Sequence, residues 1–156
     1  MYQVAAVLHG DNLSDKDAVA QALSYTIERF RAFYQSQKMQ TEVFLSVVSR
    51  NITRPLDFDS RVKAVYAFSQ LEAASTLAAA NKRVANILAK QDTDLSGKEV
   101  NAVLLTDPAE IELATQLDTL SKKVSPLFDK GDYESALTSL ATLQKSVDQF
   151  FDDVMV

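Results

Sequence analysis

The chain has 156 residues, 47% hydrophobic and 24% charged, which is enough apolar content for one domain with its own core. It contains no cysteine, which excludes disulfide staples and thiolate metal sites, and no apolar run near the roughly 18 residues that span a bilayer. A net charge of −5 and a pI of about 4.8 exclude indiscriminate nucleic-acid binding, which needs a basic domain.

Glycine and proline occur three times each, while Ala, Leu, Gln, Lys and Glu abound. These good helix formers predict an all-α fold, a helical bundle over residues 1–156 as a single domain, or a piece of a larger protein about one domain long. The N-terminus lacks a basic stretch followed by a long apolar core, so the expected compartment is the cytoplasm.

Tyr2–Leu8 reads as a helix fragment stopped at Gly10, with a capped restart near Ser14 or Asp15. The next helix runs to about Lys38. Its apolar stripe is Val19, Leu23, Ile27, Phe30 and Tyr34, and Glu28, Arg29, Arg31 and Gln35 are turned away. Thr41 caps a shorter helix carrying Val43, Phe44, Val47 and Val48. Asn51–Pro55 breaks the pattern, because a residue before proline avoids the α region. Asp57 reads as the following N-cap, with Asp59 placed to suit the helix dipole. Phe58, Val62, Val65 and Ser69 then line one side, with Tyr66 read as core.

A helix over Glu72–Lys90 has a core stripe of Leu77, Val84, Ile87 and Leu88, with Asn81 as a buried amide within it. Its alanines, at 78, 79, 80, 85 and 89, keep it slim enough for another backbone to approach. Gln91–Asn101 is a polar loop around Gly97. Asp107-Pro108-Ala109-Glu110 starts a helix with a cap, a proline at N1 and an acid at N3. Leu113, Leu117, Leu120, Val124 and Leu127 line it, and Pro126 is expected to kink or end it. Lys130-Gly131-Asp132 supplies a turn and a cap for one last helix, striped by Leu137, Leu140, Val147, Phe151 and Val154. The apolar, uncapped ending predicts a truncation, with poor stability or self-association as its result.

Chemistry is absent from this pattern. His9 is the only histidine, and the glycines at 10, 97 and 131 are isolated, so neither a His-based metal cluster nor a phosphate-cradling loop is present. The pairs Asp57/Asp59 and Asp152/Asp153 are accounted for as a helix start and a solvated face. The charge distribution is more informative. Residues 50–90 carry seven Lys and Arg against three Asp and Glu, whereas residues 91–156 carry five against thirteen. This basic island holds Arg50, Arg54, Arg61, Lys63, Lys82, Arg83 and Lys90. Arg83, Asn86 and Lys90 stand at i, i+3 and i+7 on one helix face, with Lys82 beside it. A local basic face can meet a polyanion even on an acidic chain, although such residues also make ordinary solvated helix faces.

The segments PLDFDSRVKAVYAFSQL, AAANKRVANILAK and FDKGDYESALTSLATLQKSVDQFFDDVMV, in that order, resemble the C-terminal part of the β subunit of bacterial glycyl-tRNA synthetases, over residues 18–156. The resemblance implies a helical anticodon-binding domain of the DALR type, also found in arginyl-tRNA synthetase, that grips the anticodon stem-loop of glycine tRNA. RNA contacts would then fall on Arg54, Arg61, Lys63, Asn81, Lys82, Arg83, Asn86 and Lys90, which supply forked donors, amides and point charges. It also implies an α2β2 glycine–tRNA ligase in which the α subunit activates glycine with ATP and Mg²⁺, outside this chain. The chain itself would carry no catalytic site and no cofactor. The implied partners are glycine tRNA, the rest of the β subunit and the α subunit, with neither DNA nor membrane. Two departures stand out. The family continues past Val154-Met155-Val156 into a helix bearing the Ala-Leu-Arg signature, and many relatives have proline where this chain has Ser146. A second reading, a helical protein-interaction or subunit-docking module without RNA binding, rests on Gly131–Leu137, which resembles the start of a tetratricopeptide helix. That reading needs repeats about 34 residues apart, and the sequence shows none.

Overall fold

A computed structural model describes residues 17–90 and 100–154. The expected Tyr2–Leu8 fragment, the cap near Ser14 or Asp15, and most of the loop after Lys90 lie outside the described residues. Every regular element among the described residues is helical, as the composition predicts. In chain order they are α1 (Ala18–Ser36), α2 (Thr41–Val48), α3 (Pro55–Ser69), α4 (Glu72–Ala89), a 3-10 turn (Ala102–Leu104), α5 (Pro108–Lys130), α6 (Tyr133–Ala141) and α7 (Gln144–Asp153). Contacts cluster the chain into two compact units, Met1–Val62 and Lys63–Val156.

The first unit is built on aromatic rings. The α1 stripe brings Phe30 and Tyr34 inward, α2 adds Phe44, and the first turn of α3 adds Phe58. Phe58 lies 5.5 Å from Phe30 and 5.6 Å from Phe44, centroid to centroid, within the range of favourable ring pairs. The Tyr34 hydroxyl donates to Asp59 Oδ1 at 2.6 Å. Burial of the phenol, then the hydrogen bond to Asp59 and its charge, push the Tyr34 pKa well above its ordinary value. The unfolded chain ionises this group near pH 10, so the stability drawn from the protonated phenol is lost only as the pH rises above about 10.

Three sequence expectations in this unit are corrected. Helix α3 begins at Pro55, two residues before the expected cap at Asp57. Proline serves at a first helical turn because it has no N–H to leave unpaired, and the Arg54 carbonyl accepts the Phe58 N–H at 2.9 Å. Asp57 therefore sits in the first turn, where its carboxylate faces the positive end of the helix dipole. Thr41 is the first residue of α2 rather than its cap, which is Gln40. Arg31 is not turned away. Its guanidinium lies 5.7 Å from the Phe44 ring centroid, and Nη2 is 3.4 Å from Glu28.

The second unit packs α5 against α6 and α7, and packs α4 against α6 and α7. The start of α5 follows the sequence: the Asp107 side chain accepts from the Ala109 N–H at 2.8 Å, and Glu110 reaches back to the Asp107 N–H at 3.2 Å in a capping box. Pro126 does not end the helix, which continues to Lys130. Pro126 and Lys122 are both exposed, and proline supplies no N–H to the Lys122 carbonyl.

At the end of α5, Gly131 adopts φ 76°, with its N–H on the Phe128 carbonyl at 3.0 Å and the Asp132 N–H on the Leu127 carbonyl at 2.9 Å. This is a Schellman stop, and Asp132 then caps α6 through the Ser135 N–H at 3.2 Å. A Cβ on Gly131 would meet only the Tyr133 ring, at 4.0 Å, so steric room is not the constraint. Gly131→Ala is expected to cost about 1–2 kcal/mol through the left-handed backbone alone, and chemical denaturation of the two chains measures it.

The single last helix of the sequence reading is two helices. At Thr142 and Leu143 the backbone N–H groups bond three residues back, to Ser139 and Leu140, and the Thr142 hydroxyl also takes the Ser139 carbonyl at 2.8 Å. The face buried across this break is Tyr133, Ala136, Ser139, Leu143 and Ser146, whereas Leu137, Leu140, Val147 and Phe151 are half-buried. Small side chains at 136, 139 and 146 let neighbouring helices come close.

Candidate nucleic-acid interface

Helix α4 is the element on which the candidate residues gather. It has no fully buried residue. Of its expected core stripe, Leu77 and Ile87 are half-buried, while Val84 is 41% and Leu88 49% exposed. Asn81 was expected as a buried amide, but it is exposed. It lies at an open groove of about 270 Å³, lined by Leu77 and Val84 of α4, Leu113 and Leu117 of α5, and Val147, Phe150 and Phe151 of α7. The groove leaves the amide able to reach water, which removes the cost of burying it.

Lys82, Arg83, Asn86 and Lys90 are all exposed, and none makes an ion pair with a described residue. The structure therefore brings these four together on one helix, ending at Lys90, the C-cap of α4. Arg83 is held from an unexpected direction, with its Cζ 4.2 Å from the centroid of the Phe151 ring on α7. Sequence reasoning placed Phe151 in a core stripe, and no local signal ties it to a residue 68 positions earlier.

The other predicted residues are placed as follows. Lys63, in the second unit, is an exposed residue of α3. Arg54 and Arg61 belong to the first unit. Arg54 is exposed in the turn before α3, and Arg61 is half-buried with Nε 3.2 Å from Asp57 Oδ2. That i, i+4 pair offsets much of the Arg61 charge locally. Tyr66, read as core, is 37% exposed. Among the described residues, no group of three or more His, Cys, Asp or Glu side chains is placed to hold a metal ion, and no helix is long and apolar enough to cross a membrane.

Fold and face together give a helical domain with cations gathered on one helix of an acidic chain. The model of the DALR anticodon binding domain family matches residues 77–156, from the middle of α4 onward. The chain belongs to that family. It is also similar to the glycine–tRNA ligase β subunits of Shewanella baltica strain OS195, Shewanella denitrificans strain OS217 and Shewanella oneidensis strain MR-1. The identities over 152 residues are 53%, 53% and 52%. Each alignment takes in 97% of this chain but 22% of the relative, so the chain spans about a fifth of the length of the curated relatives it matches.

Proposed function

We propose that this chain binds the anticodon of glycine tRNA and so helps a glycine–tRNA ligase select its tRNA. The observation that carries the reading is that the anticodon-binding family match begins at residue 77 and so takes in Lys82, Arg83, Asn86 and Lys90. Anticodon bases are unstacked and single-stranded, and proteins read them by stacking, by hydrogen bonds to base edges and by contacts to phosphate. The α4 face offers the last two. Lys82 and Lys90 act as point charges on phosphates, Arg83 as a planar fork, and Asn86 and Asn81 as amides able both to donate and to accept. Lys63, Arg54 and Arg61 are further candidates for single phosphate contacts, the Arg61 charge being partly offset by Asp57.

On this reading the remaining partners are the rest of a β subunit and an α subunit in an α2β2 assembly, working in the cytoplasm. Glycine activation, with ATP and Mg²⁺, is assigned to residues outside this chain, and no chemical step is assigned to these helices. The test is a binding comparison of the 156-residue chain with glycine tRNA and with the same tRNA altered only in its anticodon. Tighter binding to the unaltered anticodon is expected, and equal affinities would overturn the reading.

A further inference from the structure

We propose that Phe151 is a positioning residue for Arg83, fixing its guanidinium as a ready-made fork for the phosphate or base edge of an RNA ligand. The inference rests on the anticodon-binding reading and adds to it a residue outside α4.

The contact is close, 4.2 Å against 5.0 Å for Arg29 on Tyr25 and 5.7 Å for Arg31 on Phe44. Helix α7 also carries Asp148, Asp152 and Asp153. Arg83 lies within ion-pair distance of no described acid and makes no hydrogen bond to a described residue, while Asp153 accepts from Gln149. The guanidinium is therefore held by a ring that takes none of its hydrogen-bonding capacity. A contact through the guanidinium face takes up none of its five N–H donors. Phe151 is in turn half-buried in the groove wall, with the Phe150 ring at 5.3 Å. Lys82 and Lys90 have no such support and remain flexible point charges. Restricting Arg83 before the ligand arrives reduces the ordering cost of binding.

The test measures affinity of the full chain for glycine tRNA across salt concentrations, with Phe151→Leu, Phe151→Tyr, Arg83→Lys, Arg83→Ala and the double variant Phe151→Leu/Arg83→Ala. Phe151→Leu is expected to weaken binding about two- to fivefold, the range of an exposed cation–π contact. Phe151→Tyr should restore it, and in the Arg83→Ala background Phe151→Leu should have no further effect. Arg83→Lys keeps the charge, loses the planar stack and leaves the groove untouched. It should therefore weaken binding by the same factor, about two- to fivefold, independently of any loosening of the fold by Phe151→Leu. Parental affinity in both Phe151→Leu and Arg83→Lys would overturn the assignment, as would an undiminished Phe151→Leu effect without Arg83. A parent chain that ignores the anticodon would instead overturn the functional reading, and this assignment with it.

Discussion

Phe58→Ala is expected to remove about 3–5 kcal/mol of stability, whereas Leu56→Ala, two residues earlier on α3, should change it by less than about 0.5 kcal/mol. The contrast comes from helix geometry. Phe58 is 1% exposed, among the rings of Phe30, Tyr34 and Phe44, while Leu56 is 85% exposed. Truncating Phe58 loses the transfer free energy of a large ring, and the neighbouring rings cannot collapse fully into the space. A loss of that size is a large part of the roughly 5–15 kcal/mol that holds an ordinary domain folded. Urea denaturation followed by circular dichroism gives both values, and a Phe58→Ala cost below about 1 kcal/mol would contradict the aromatic core.

The second large effect concerns binding. Removing three cations from α4 together, Lys82→Ala, Arg83→Ala and Lys90→Ala, should lower the slope of log affinity against log salt by about 2, at roughly 0.7 for each phosphate contact on single-stranded RNA. Affinity at low salt should fall with it. Lys122→Ala is the matched control, because Lys122 already sits 2.7 Å from Asp118 on α5 and should leave the slope unchanged. All three α4 side chains are exposed, so stability should stay close to that of the parent. A triple variant with the parental slope would remove α4 from the interface.

The parts of the structure legible in the sequence are those set within a few residues. The helix start at Asp107 and the turn and cap at Lys130-Gly131-Asp132 involve partners no more than five positions apart and formed as read. The first is a capping box, and the second runs through a left-handed Gly131. The α1 stripe was equally legible because a period of 3.6 residues needs no knowledge of the partner helix. Pro55 was misread through a conflict between two local rules. Proline ends one helix and also starts another, and here the second rule won. Other errors were tertiary. The break at Thr142 and Leu143 carries no glycine or proline, and burial of Ala136, Ser139 and Ser146 reflects how closely neighbouring helices approach, which apolar counting does not reveal. In the candidate interface, the spacing of Arg83, Asn86 and Lys90 was visible. The exposure of Asn81 was not, because it depends on an open groove, and the ring beneath Arg83 depends on a helix far along the chain.

Helix α4 has no fully buried side chain, although it carries the face on which the functional reading depends. Most helical stability in proteins comes from tertiary packing, and α4 has its packing on α6 and α7. Such an element belongs to the less protected part of a fold, opening more readily than a helix such as α5, which buries Ala109, Leu120 and Val124. A ligand that grips α4 then does more than occupy a surface. By binding only the ordered helix it draws the opening equilibrium toward the closed form, and part of its affinity is spent keeping that helix in place.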